Sequence, residues 1–195
     1  MNVKLKLVRI VQCIISVAML TAAVSAAAQV ETIDATARGT STQLGQIVNV
    51  KLIINQFSTP EERALLIDAF KKGSNEGLVK ALEKMRSDGR IQVTGTVGQA
   101  VAYASSTPTP TGRRIVFVTN RLLRFGEVAR NTRSQAFNLT AGWIDIDDSD
   151  SKKSTGVLYP ASQFGIDSNG QISINLLQNP WNLTNIIDWK PKSKE

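Results

Sequence analysis

The chain has 195 residues, with 23 lysines and arginines against 16 acids, no histidine, one cysteine and a formal net charge of +7. Without histidine there is no Ser-His-Asp or Cys-His catalysis. With Cys13 alone there is also no zinc site built from His and Cys ligands and no internal disulfide. Stability must come from packing, and any enzymatic chemistry would fall to carboxylates, Lys, Tyr, Ser or Thr.

Residues 1–28 read as a secretory signal peptide. Lys4, Lys6 and Arg9 supply a positive start, residues 10–24 an apolar run, and Ser25, Ala26, Ala27 and Ala28 the small residues of a cleavage site. The run is shorter than the ~20 residues a spanning helix needs, so no transmembrane segment is expected once the leader is cut after Ala28. Cleavage removes Cys13 together with three basic residues. It leaves residues 29–195 as a single, mildly basic domain with a periplasmic or extracellular destination.

Strands are predicted over residues 30–38 and 47–56, the second with Val48, Val50, Leu52 and Ile54 in strict alternation. A helical segment follows over residues 59–88. Thr59 can cap it, Pro60 suits the first helical position, and Glu62 stands where a reciprocal capping box requires it. Leu65, Leu66, Ile67, Ala69 and Phe70 make an apolar arc up to Gly73. Leu78, Ala81, Leu82 and Met85 then form a second stripe ending at Asp88 and Gly89. The expected form is an αα-hairpin turning at Gly73, Ser74 and Asn75, with both helices packed on a sheet.

Further strands are expected at 90–97, 99–105, 113–119 and 120–128, with residues 106–112 a loop because Pro108 and Pro110 cannot donate to a ladder. Residues 113–119 are apolar on both faces, as in a strand covered on both sides. Strands at 136–146 and 155–163 form an antiparallel pair, and 165–167 with 171–177 flank an Asn169-Gly170 turn. Residues 182–189 give a last strand. The fold class is α+β but mainly β: an antiparallel barrel or sandwich of about nine strands carrying one helical hairpin.

Two constellations carry chemical interest. Asp145, Asp147, Asp148 and Asp150 could offer oxygen ligands, but the spacing fails the calcium-loop pattern and fits a solvated turn, so no metal or other cofactor is expected. Arg113, Arg114, Arg121, Arg124, Arg130 and Arg133 cluster around a single acid, Glu127. Of these, Arg121, Arg124 and Arg133 are the candidate anion-binding residues, since arginine presents a planar fork to carboxylate or phosphate. No catalytic residue stands out. Aromatic residues are scattered along apolar strands, so nucleic-acid binding is not expected.

The segments Ser58-Thr59-Pro60-Glu61-Glu62, Leu82-Glu83-Lys84-Met85 and Gly112-Arg113-Arg114-Ile115 resemble those of a group of uncharacterised exported bacterial proteins. Those proteins share a signal peptide, a "TPEE" helix and a β-rich remainder with a "T-D-R-P"-like segment, here Thr119-Asn120-Arg121-Leu122, and an "R-S" pair, here Arg133-Ser134. The resemblance implies bacterial export and implies no activity. The functional expectation is a non-catalytic binding domain for a small amphipathic or anionic ligand, held in a barrel mouth or under the helices. The alternatives are a structural or envelope-interaction protein without a cavity, and a carboxylate-dependent hydrolase.

Overall fold

A computed structural model of the chain describes residues 30–123, 137–166 and 172–189. Nine strands occur among them: β1 (Glu31–Gly39), β2 (Ile47–Ile54), β3 (Gly89–Val93), β4 (Gln99–Thr109), β5 (Gly112–Thr119), β6 (Leu139–Asp147), β7 (Thr155–Ile166), β8 (Ile172–Leu176) and β9 (Trp181–Trp189). All pairings are antiparallel and run in the order β6-β5-β4-β3-β2-β1-β9-β7-β8. A further β6–β7 pairing closes eight of the strands into a barrel and leaves β8 outside, on the edge of β7.

Alternation explains the wall. On β1, Ile33, Ala35 and Ala37 are buried while Thr32, Asp34 and Thr36 are more exposed. Val50, Leu52 and Ile54 do the same on β2. The inward residues form one apolar cluster that fills the barrel. One ring of that filling is set by register: Phe117 lies opposite Gly142, Gly142 opposite Leu158, Leu158 opposite Trp181, and Trp181 opposite Gly39. Two fully buried aromatics thus lie in one ring with two glycines. A Cβ at Gly142 would run into the Phe117 ring.

Both barrel ends are plugged. At the upper end the 3-10 turn Ser41–Gln43 follows β1, and the fully buried Gln43 lies against Gly39. At the lower end Arg113 of β5 reaches Glu31 of β1. These strands stand four places apart around the eight, so the side chain crosses the barrel floor.

Where the sequence predicts two helices in a hairpin, the structure has one helical element, α1 (Pro60–Lys84), interrupted at Gly73 and Ser74. Ser74 has φ 49° and ψ −143°, outside the helical region. The bend is sharp. A Cβ on Gly77 would collide with the carbonyl of Ala69, eight residues earlier, whereas a straight helix separates such residues by ~12 Å. The capping box forms as expected: the Glu62 amide donates to Thr59 Oγ1 at 3.2 Å and the Thr59 amide to Glu62 Oε2 at 2.8 Å. Leu66, Val79 and Leu82 of α1 are buried against Ala102 and Leu139 on the outer wall.

The predicted loop over residues 106–112 is instead largely strand, because β4 runs to Thr109 and Pro108 pairs with Arg113. β3 covers only Gln99–Val101 of β4, and the Ala104 amide and carbonyl face away from β5, toward Ser58. By alternation the Pro108 nitrogen points to that same open edge, so the β4–β5 ladder loses no bond. Residues 120–123 are not strand, contrary to expectation. Leu123 turns into the core, its amide bonded to Thr140 Oγ1 at 2.7 Å. The remainder of that predicted strand and the Asn169-Gly170 turn lie outside the described residues.

Leu82 is fully buried where α1 meets the wall. Leu82→Ala is expected to lower stability by about 2–5 kcal/mol, read as a reduced midpoint in urea denaturation.

Candidate functional site

The insertion of α1 between β2 and β3 is latched at its base. The Ser58 amide donates to the Ala104 carbonyl at 2.7 Å, and the Ala104 amide donates to Ser58 Oγ at 3.0 Å. The Ser58 hydroxyl donates to the fully buried Asp88 carboxylate, which also accepts from Gln56 Nε2 at 2.8 Å. The Asp88 amide in turn donates to the Val101 carbonyl at 2.8 Å. Entry and exit of the helical segment are therefore bound to each other and to β4.

The bend is fixed by a second contact. Asn75, buried just after the non-helical pair, accepts from the Phe164 amide at 2.9 Å and donates to Asn138 Oδ1 at 3.1 Å. The first arm of α1 thus runs from β4 at Ala104 toward β7 at Phe164.

Beneath that arm lies a cavity of about 570 Å³, within the range typical of small-molecule sites. The first arm contributes Arg63, Leu66, Ile67, Phe70 and Lys71, the helical i, i+3, i+4, i+7, i+8 pattern with a cation at each end. The second arm contributes Leu78 and Leu82. The barrel wall supplies Tyr103, Ser105 and Thr107 from β4, Val116 and Val118 from β5, and Phe164 from β7. In register, Tyr103 faces Val118 and Ser105 faces Val116. Among the described residues the lining is mostly apolar and includes two cations and no carboxylate.

The arginines singled out from the sequence are placed differently. Arg113 lies within the barrel floor, its guanidinium 3.0 Å and 2.5 Å from the two Glu31 oxygens and 2.6 Å from Asp188 Oδ2. Burial works against its charge, but the bonds and charges of Glu31 and Asp188 outweigh that and hold its pKa above the ordinary value. Arg114 points outward. It makes a two-pronged pair with Asp145 at 2.6 Å and lies 4.8 Å over the Trp143 ring. Both are spent on internal partners.

Arg121 is exposed beyond the end of β5, where its backbone carbonyl accepts from the Thr119 hydroxyl. It does not line the groove. Arg124 and Arg133 lie outside the described residues. The groove cations, Arg63 and Lys71, did not figure in the sequence-based site, although both sit on the helical stripe where Leu66 and Phe70 are legible.

The acidic turn is occupied with its own backbone. Asp147 accepts from the Ser149 hydroxyl at 2.6 Å and from the Ser149 and Asp150 amides at 2.9 Å and 3.0 Å, which lowers its pKa. Asp150 caps the 3-10 turn Ser151–Lys153. Among the described residues no three potential metal-ligating side chains come together. Likewise, no helix among them is long and apolar enough to cross a membrane.

The chain matches no known family model, no curated protein and no solved structure. What the groove can do is therefore read from its own residues. It can bury an apolar body of modest size and answer negative charge at either end.

Arg113→Met would leave two largely buried carboxylates without their cation. It is expected to cost about 3–5 kcal/mol, and adding Glu31→Gln and Asp188→Asn should recover part of the loss in urea denaturation.

Proposed function

We propose that this is an exported, non-catalytic binding protein for a small amphipathic anion, and that the ligand lies in the groove between α1 and the outer barrel wall. The observation that carries this reading is the groove's lining: a ligand-sized apolar cavity with positive charge at its rim and, among the described residues, no carboxylate. The barrel interior holds a buried apolar cluster, and Gln43 and Arg113 occupy its ends.

The two arms of α1, folded about Gly73 and Ser74 as a helical hairpin, roof the groove in this reading. Export rests on the character of residues 1–28, and on the resemblance of the TPEE segment and its neighbours to exported bacterial proteins. The absence of histidine rules out a Ser-His-Asp triad, and a carboxylate-dependent hydrolase would have to set two acids across a cleft, whereas none of the described residues lining this one is an acid.

The groove is tested by blocking it. Val118→Trp projects a ring from the wall into the cavity. It should abolish displacement of a fluorescent long-chain carboxylate while leaving the circular dichroism spectrum unchanged. Undiminished binding by Val118→Trp would overturn the location. Export is checked separately by amino-terminal sequencing of protein collected outside the cytoplasm, where the first residue should be Gln29.

A further inference from the structure

The two ends of the groove differ, and the difference orients a ligand. The first arm of α1 starts beside Ala104, to which Ser58 is doubly bonded. Arg63, in the opening turns, therefore stands toward the β4 side of the cavity, the strand that carries Ser105 and Thr107. Arg63 and Lys71 are eight residues apart, a rise of about 12 Å along the helix.

The far end is apolar except for Lys71. Phe70, Leu78 and Phe164 gather there, and the Asn75 bond to the Phe164 amide fixes the bend above them. The apolar surface continues outward, since Ile174 of β8 pairs directly with Phe164 and is 41% exposed. Lys71 also has a carboxylate close by. Asp68, one turn earlier, pairs with Lys72 at 2.6 Å and feels the charge of Lys71 as well. One end thus combines a guanidinium with two hydroxyls, a donor set suited to an oxyanion. The other combines large apolar side chains with a cation that has acidic company.

Resting on the groove reading above, we infer that the ligand is a single straight-chain amphiphile with an oxyanion head. The head sits on Arg63, Ser105 and Thr107, and the chain runs under α1 toward Phe164 and Ile174. Carboxylate, sulfate and phosphate heads share this chemistry. Lys71 serves mainly through its aliphatic stem, along which the chain passes.

The test is titration of the purified protein, by calorimetry, with dodecanoate, dodecyl sulfate, dodecyl phosphate and dodecanol below their aggregation concentrations. Arg63→Gln and the pair Ser105→Ala with Thr107→Val should each weaken the anions tenfold or more and leave dodecanol within about twofold. Lys71→Gln should change none by more than about twofold. Lengthening the carboxylate from octanoate to decanoate should tighten binding roughly fourfold per methylene. The order among the three anions identifies the preferred head. Arg63, Lys71 and Thr107 are exposed, so these variants keep the fold, which circular dichroism verifies. If Lys71→Gln weakens the anions and Arg63→Gln does not, or if neither does, the orientation is wrong although the groove still binds. If the wild-type protein takes up none of the four, or Val118→Trp binds them as well as wild type does, the groove reading fails with it.

Discussion

An eight-stranded barrel closed on itself encloses a space that side chains can fill, and here the inward residues form one buried apolar cluster. That constraint governs the rest. With Phe117 and Trp181 seated beside Gly142 and Gly39, and the ends stopped by Gln43 and the Arg113 ion pairs, the interior is structural. The larger concavity described on the outer surface is the one that α1 spans; a smaller one lies beside the acidic turn, between Asp147 and Ile187.

The groove owes its shape to polar contacts at its edges. Asp88 draws Ser58 and Gln56 together at the base, so the two ends of α1 cannot spread. Asn75 fixes the bend against Phe164. Between these points the second arm packs tightly through Val79 and Leu82 onto Ala102 and Leu139, whereas the first arm bridges Tyr103, Ser105 and Thr107 and leaves space beneath. A small residue at the crossing makes the fold-back possible: Gly77 lies against the Ala69 carbonyl, where any side chain would collide.

Charge is divided by depth. Arg113 is largely desolvated, and two carboxylates answer it. Arg114 lies on the surface with one carboxylate and an aromatic ring, an arrangement that screening weakens. Arg63 and Lys71 stand at the rim of an apolar cavity, where a bound anion would meet less competing solvent than on an open surface. Arg113 and Arg114, adjacent in the chain, therefore do different work according to which face of β5 they occupy.

Much of this was legible locally. The alternation in residues 47–54, the Thr59-Pro60-Glu61-Glu62 helix start and the missing histidine gave a mainly β protein with a capped helical insertion and without imidazole chemistry. Such signals depend on near neighbours, so a single sequence carries them. The pairing of β1 with β9 is different in kind. It joins residues from opposite ends of the chain, and the same alternation would have served an open sandwich equally well. Only the closed register decided that Arg113 points into the floor while Arg114 points to solvent, and that Pro108 falls on an unpaired edge. It also brought Ser105 and Thr107 into the same cavity as Arg63, because the meeting of a helix face with a strand face is fixed by packing.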